Sequence, residues 1–189
     1  MAPSAELLAL LEYRLRAVAI GNIALRYAMA WDAPPSMEIR FDGKQVMEGK
    51  ATGFTNGAIE SALIHCRALL EFMGLSGGGS AITLCELKGR RPDDQAIELI
   101  DTLHRVTIEE ATAYYPGPAH EAEAALAYVI HLANKGLAHT SRTFTRHDEG
   151  TRLVEIAFRG VPTLITNKFY LPLGMRAPEY KVPYRKRPA

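Results

Sequence analysis

The chain has 189 residues, of which 48% are hydrophobic and 23% are charged. These proportions exclude a disordered or fibrous protein, and the length suits a single hydrophobic core. Because 22 Lys and Arg residues nearly balance 21 Asp and Glu residues, the net charge of +1 excludes binding of polyanions through overall charge.

The first third of the chain predicts a long helix followed by a hairpin. Residues 4–30 repeat apolar side chains at helical spacing, and Pro34 lies beyond the end. Residues 37–48 alternate around Asp42-Gly43, a dipeptide typical of tight hairpin turns. The apolar positions of the helix are Leu7, Leu8, Leu11, Leu15, Val18 and Leu25.

The middle of the chain predicts two further helices. Residues 55–73 place apolar side chains on one face, and Gly74 is positioned to end the helix. The run Gly77–Ser80 is predicted to be a flexible connection, and it lacks the Gly-Lys-Ser/Thr ending of a phosphate-binding loop. Residues 92–115 begin with Pro92 and two aspartates, which favours a third long helix.

The last part of the chain predicts a fourth and a fifth helix. A Pro-Gly-Pro break separates the third helix from a fourth over residues 119–142. Residues 153–169 favour a fifth helix that is kinked or restarted at Pro162, although residues 154–158 also alternate as a strand would.

Together these segments predict a mainly α protein, an antiparallel bundle of about five helices with a small β-hairpin. No composition shift divides the chain, so residues 1–175 are predicted to form a single helical-bundle domain. Residues 176–189 are basic and rich in proline, which indicates either a solvated tail or a segment that meets an anionic partner.

The cysteines and the distribution of charges along the chain indicate the cellular compartment of the protein. Cys66 and Cys85 form no Cys-x-x-Cys pair and are too few for a disulfide framework, so we predict reduced, buried thiols. Charges such as Glu6 and Arg14 interrupt the N-terminal apolar segment, unlike a signal peptide. The longest charge-free run, residues 72–85, falls short of the ~20 residues that span a bilayer. We therefore predict a cytoplasmic protein that binds no membrane.

The predicted fourth helix carries a group of titratable side chains on one face. At about 100° per residue these positions project from the same side. Such a face is either a solvated cationic surface or an anion site, where Lys and Arg supply charge and histidine exchanges protons. The side chains are Tyr128, His131, Lys135, His139 and Arg142.

The helix over residues 55–73 has polar residues of its own. Arg67 and Glu71 are four residues apart and are predicted to form an ion pair. His65 is either a packing histidine or a binding residue. If this helix packs beside the fourth one, His65 approaches His139.

Motifs for a metal, a cofactor or a nucleophile are not found in the sequence. There is no His-Glu-x-x-His motif, and His131 and His139 are about 12 Å apart along a helix, too far to share one ion unaided. Cys66 falls on the apolar face of its helix, where a thiolate is disfavoured. We predict neither a metal nor a cofactor.

Two segments, Glu60–Phe72 and Asn134–His139, resemble a known family. They are similar to an uncharacterised bacterial helical family and, more distantly, to the HEPN (higher eukaryotes and prokaryotes nucleotide-binding) superfamily. The similarity spans residues 55–146. It implies a helical bundle, commonly dimeric, in which an Arg followed by four residues and a His forms a metal-independent endoribonuclease site.

In that family the histidine assists attack by a ribose 2′-hydroxyl, and the arginine stabilises charge on the phosphate. His139 matches the histidine, whereas the arginine position holds Asn134, which brings no positive charge. Lys135 and Arg142 do not occupy the matching position. The predicted binding residues are Asn134, Lys135, His131, Arg142 and His65.

The resemblance therefore favours a non-catalytic binding or interaction module of HEPN-like type, a homodimer with an RNA or nucleotide partner. One alternative is a metal-independent endoribonuclease that uses His139 as general base, with Lys135 or Arg142 on the phosphate. The other alternative is an assembly partner of another protein.

Overall fold

The computed structural model of the protein describes residues 2–79, 82–136 and 148–179. Within them the chain forms five α-helices and two antiparallel sheets of two strands each. The predicted mainly α fold with a small hairpin is therefore confirmed. No helix in this described part is long and apolar enough to cross a membrane.

The first helix lies where the sequence predicts it. Helix α1 (Ala5–Ala30) begins after Ser4, whose hydroxyl accepts a hydrogen bond from the Leu7 amide at 3.2 Å. That bond satisfies one of the amides that an α-helix leaves unpaired at its first turn.

The predicted hairpin follows α1. Strands β1 (Ser36–Phe41) and β2 (Lys44–Lys50) pair antiparallel, and no third strand joins their sheet in the described part of the chain. Asp42 and Gly43 join them with φ values of 49° and 77°, the left-handed pair that a two-residue turn requires. Both strands are exposed along most of their length, so the hairpin projects as an arm.

Helix α2 (Thr52–Phe72) returns antiparallel along α1, and these two helices form the largest contact between elements of the fold. Gly21 allows the close approach, because a Cβ there would overlap the Ala62 Cβ and lie 3.0 Å from the Ala58 carbonyl oxygen. The helix ends before Gly74, whose φ of 94° suits glycine.

The predicted connection Gly77–Ser80 starts at the end of the first strand of a second, short hairpin, and Ser80 lies outside the described residues. Strands β3 (Leu75–Gly77) and β4 (Leu84–Glu86) pair antiparallel. The amide of Gly78 donates to the Thr83 carbonyl at 2.9 Å and extends the pairing by one hydrogen bond.

The predicted third long helix over residues 92–115 is wrong. The segment holds only a 3-10 turn (Ile97–Leu99) and the short helix α3 (Ile108–Thr112). Thr102 has a φ of 71°, which interrupts any continuous right-handed helix. Thr107 caps the start of α3 with a capping box, so a helix does begin within residues 92–115, but well after Pro92.

The last two helices agree with the sequence over the part that is described. Helix α4 (Ala119–His131) continues into a π-helical turn (Leu132–Gly136), and the rest of the predicted fourth helix lies outside the described residues. Helix α5 (Asp148–Ile165) contains Pro162 and ends in a second π-helical turn, Thr166–Tyr170. The strand alternative for residues 154–158 is therefore wrong.

One hydrophobic core joins the helices. Helices α2, α4 and α5 pack against one another, and α1 packs on α2 and α5. Phe158 and Phe169 are almost fully buried, and the Phe169 ring meets Phe72 edge to face at 5.6 Å between centroids. The thiol of Cys66 is buried as predicted, whereas Cys85 is only partly buried.

Candidate functional site

A cleft of about 670 Å³ opens between the first half of α1, the second half of α2 and the loop over residues 87–95. Its apolar lining includes the accessible Leu10 and Leu87 and, beneath them, the almost fully buried Leu7 and Leu11. Its charged rim is formed by four arginines and three carboxylates. The arginines are Arg14, Arg67, Arg90 and Arg91, and the carboxylates are Glu71, Asp93 and Asp94.

Two of these four arginines, Arg90 and Arg67, form contacts that hold the walls of the cleft in place. Arg90 donates to both carboxylate oxygens of Glu98, at 2.8 and 3.1 Å, and to the Phe72 carbonyl at 3.3 Å. Arg105 donates to the same Glu98 at 2.6 Å and to the Leu87 carbonyl at 2.9 Å. Burial raises the pKa of Glu98, but a backbone hydrogen bond and the bonds from Arg90 and Arg105 together outweigh burial, so the pKa lies below its ordinary value. The loop is thereby fixed against the end of α2.

Arg67, the second of the two rim arginines, pairs within its own helix. Its Nε donates to Glu71 Oε1 at 2.8 Å across one helical turn, as the spacing predicts. Both side chains are partly exposed, so the pair neutralises this side of the cleft but contributes little to stability.

Arg14 is held differently. Its Nη1 donates to His65 Nδ1 at 3.2 Å, and Tyr13 meets the His65 ring edge to face at 5.1 Å. An arginine only donates, so Nδ1 must be the unprotonated nitrogen of a neutral imidazole. Burial lowers the pKa of His65, and the neighbouring Arg14 charge lowers it further, which is consistent with this neutral form.

The hydrogen-bond partner of Arg14, the neutral ring of His65, therefore does not balance the positive charge of the guanidinium. Within the described residues its guanidinium forms no ion pair with a carboxylate, and Glu71 acts on it only electrostatically. Burial lowers the pKa of Arg14 as well, although arginine stays charged at neutral pH. A half-buried cation beside a neutral ring has donors left to direct into the cleft. Such an arrangement suits a carboxylate or a phosphate.

The structure places the sequence-predicted residues in different regions. His65 lies on α2 and is turned toward α1, although α2 also packs against α4. His131 ends α4 and is half-buried, and Asn134 is exposed on the π-helical turn. The backbone of Lys135 belongs to the same turn.

The shared face predicted for the fourth helix depends on an unbroken α-helical phase. That phase ends at His131, because a π-helical turn has more residues per turn than an α-helix. His139 and Arg142 lie outside the described residues, so their grouping with His65 and Lys135 stays a prediction.

None of the four cleft arginines was predicted from the sequence as a binding residue, and Arg67 was predicted only as the ion-pair partner of Glu71. Arg14 carries a usable signal, since it falls on the same helical phase as Leu7, Leu11 and Val18, which are all buried. A charged residue on an apolar phase is unusual enough to single it out. Arg90 and Arg91 carry no comparable signal, because their loop was predicted to precede a long helix.

Nucleophile and metal chemistry find no support in this part of the molecule. Complete burial raises the pKa of the Cys66 thiol far above its ordinary value, so it does not form a thiolate. Among the residues that the structure describes, no three His, Cys, Asp or Glu side chains are grouped to hold a metal ion.

Comparison with known proteins adds no relative. No family model, no curated protein and no solved structure matches the chain.

Proposed function

We propose that the protein is a non-catalytic binding protein whose cleft holds an anionic ligand on Arg14. The observation that carries the proposal is the pairing of a half-buried guanidinium with a neutral imidazole rather than with a carboxylate. A phosphate or carboxylate placed against Arg14 accepts charge-assisted hydrogen bonds, each of which contributes about 1.5–3 kcal/mol.

The cleft also limits the class of ligand. Its volume of about 670 Å³ falls within the range of roughly 300–1,000 Å³ typical of small-molecule sites. Accessible leucines of the lining, Leu10 and Leu87, lie beside the charged rim, which suits a ligand with an apolar part and an anionic group. A mononucleotide has both parts. We therefore include in the proposal that the ligand is a nucleotide and that the protein is cytoplasmic and HEPN-like.

The test uses Arg14→Gln, which removes the positive charge and keeps a polar side chain with an amide donor. Calorimetric titration with a nucleoside monophosphate, the bare nucleoside and inorganic phosphate separates the contributions of base and phosphate. We expect Arg14→Gln to weaken nucleotide binding at least about tenfold, or about 1.4 kcal/mol. Unfolding of each variant by heat confirms that the fold is retained.

The matched control is Arg16→Gln, two residues away on α1. Arg16 is exposed and pairs with Glu12 at 2.5 Å, outside the cleft. Its removal is expected to leave the affinity unchanged. Equal losses in the two variants, or binding by wild type of neither nucleotide nor phosphate, would contradict the proposal.

The ribonuclease alternative from the sequence stays a prediction because His139 is outside the described residues. Its test is incubation of purified protein with labelled single-stranded RNA in EDTA, beside His139→Ala. Cleavage that disappears in the variant would support a metal-independent nuclease. No cleavage by either protein would remove that alternative and leave the binding protein.

A further inference from the structure

Arg14 and His65 form a pair in which only the histidine can change its charge near neutral pH. The two side chains are joined by the 3.2 Å hydrogen bond from Arg14 Nη1 to His65 Nδ1, across the contact between α1 and α2. That bond exists only while the imidazole is neutral, because a protonated ring has no nitrogen left that can accept. The protonation state of His65 therefore decides how Arg14 is held.

Few charged groups other than Arg14 act on the His65 ring. On α1 the ring contacts Tyr13 and Arg14, and Glu6 on the same side of that helix is about 12 Å from Arg14 along the axis. Helices α4 and α5 also pack on α2, but among the described residues neither they nor strands β2 and β3 bring a charged group that affects the ring. The neighbours of His65 one turn away on α2 are uncharged, namely Ser61, Ala62, Ala68 and Leu69. The nearby charged residues of α2 project from other sides of the helix, and they are Glu60, Arg67 and Glu71.

Protonation of His65 is opposed by its surroundings for two reasons. Burial lowers the pKa of the ring, and the charge of Arg14 lowers it further. Burial belongs to the fold, whereas the charge of Arg14 can be balanced by a negative group bound to it. Glu71 acts on Arg14 electrostatically, but its carboxylate is already paired with Arg67. A ligand can therefore remove the second of the two causes and leave the first.

An anion bound to Arg14 lies close enough to His65 to change this balance. A guanidinium spans about 2 Å between its terminal nitrogens and its bonds to an anion are about 2.8 Å long, so the anion lies within roughly 8 Å of Nδ1. Salt screens charges at this separation only in part. The anion also gives Arg14 a new acceptor, which compensates for loss of the bond to Nδ1.

From this geometry we infer that His65 couples binding in the cleft to the uptake of a proton. An anion on Arg14 favours the protonated imidazole, so the cleft binds its anionic ligand more tightly as the pH falls. The proton comes from solvent and binds to Nδ1, the atom that Arg14 releases. His65 is a positioning residue, because it acts through Arg14 and is not among the described residues that line the cleft. The inference rests on the proposed function, since it requires an anion at Arg14.

Titration of the His65 ring by NMR tests the first part of the inference without any ligand. In wild type the pKa of His65 should lie below the ordinary value of histidine, and in Arg14→Gln it should rise, because the neighbouring charge is gone. Arg16→Gln, which removes an exposed arginine outside the cleft, is the control and should leave the pKa unchanged. A pKa that stayed constant in Arg14→Gln, or that rose equally in Arg16→Gln, would overturn the inference.

The same titration with a saturating nucleoside monophosphate tests the coupling itself. Bound nucleotide should raise the pKa of His65 by about one unit, which corresponds to an affinity change of about tenfold. Calorimetry of wild type and His65→Gln at about pH 8 and about pH 5 gives the second readout. Glutamine keeps an oxygen that can accept from Arg14 but does not titrate, so the ratio of the two affinities should change about tenfold in favour of wild type at the lower pH. The second ionisation of the phosphate, at about pH 6, is common to both proteins and cancels in this ratio.

The control for His65→Gln is His104→Gln, which alters an exposed histidine outside the cleft. It should keep the pH dependence of wild type. A pKa of His65 that bound nucleotide leaves unchanged, or an equal pH dependence in wild type and His65→Gln, would overturn this inference and leave the cleft proposal intact. If wild type bound neither nucleotide nor phosphate at either pH, the cleft proposal would be contradicted and this inference would fall with it.

Discussion

Glu110 joins two distant parts of the chain through a single carboxylate. Its Oε1 accepts a hydrogen bond from Lys168 Nζ at 2.6 Å, and its Oε2 accepts one from the Thr107 amide at 3.0 Å. Together with a weaker contact to His104 at 3.4 Å, these bonds lower the pKa of Glu110 to about 2, with the Lys168 bond as the largest cause. The short helix α3 is thereby fixed to the segment after α5.

Replacing Glu110 by Gln should destabilise the protein by about 1 kcal/mol at neutral pH, since partial exposure screens the charge. The folded-state pKa is depressed, so this contribution is complete above pH 4.5 and is lost as the pH falls toward 2. Urea unfolding at neutral and acid pH measures both effects. Glu109→Gln, on the exposed side of the same turn, is the control. A variant whose deficit persisted unchanged at pH 2 would contradict this assignment.

The sequence predicts side-chain partners only where they are close along the chain. Arg67 and Glu71 are four residues apart, and the helix geometry alone brings them together. Arg14 and His65 are 51 residues apart, and Glu110 and Lys168 are 58 apart, so their contacts depend on how elements pack. The candidate cleft includes both kinds, the Arg67–Glu71 pair within α2 and the Arg14–His65 contact between α1 and α2. His65 was selected from the sequence, but its partner was not.

The crossing of α1 and α2 depends on one glycine. Gly21→Ala adds a methyl group that overlaps Ala62, and we expect it to cost about 1–3 kcal/mol despite the better helix propensity of alanine. Adding Ala62→Gly should recover part of the loss, because the two methyl groups compete for one space. Thermal and urea unfolding measure each step of this double-mutant cycle.

The control for that cycle is Gly160→Ala in helix α5. A Cβ at Gly160 meets nothing within 4 Å, so alanine there should stabilise the protein by about 0.5–1 kcal/mol. If Gly21→Ala stabilised it to the same extent, the close approach of α1 and α2 would not exist.

Elements with one dominant local signal were predicted well. Helices α1 and α2 follow clear apolar periodicity, and Asp42-Gly43 identifies the arm. The prediction of the third helix failed because Ile97, Ile100 and Val106 are buried without belonging to an α-helix. The loop around them is held by arginine side chains on backbone carbonyls, a tertiary effect that periodicity does not register.

On the scale of the whole molecule, the α1–α2 pair provides two walls of the cleft. One end of the pair bounds the cleft together with the loop over residues 87–95. Helices α4 and α5 complete the core beneath the pair. A ligand bound as we propose would therefore rest mainly against one helical hairpin.

Glu98 has a consequence for any ligand of the cleft. It accepts hydrogen bonds from Arg90 and Arg105, and these arginines also donate to the Phe72 and Leu87 carbonyls. The loop over residues 87–95 is therefore tied to the end of α2 without any help from a ligand. A molecule that enters would lose little free energy in ordering this wall, so most of its contacts would count toward affinity.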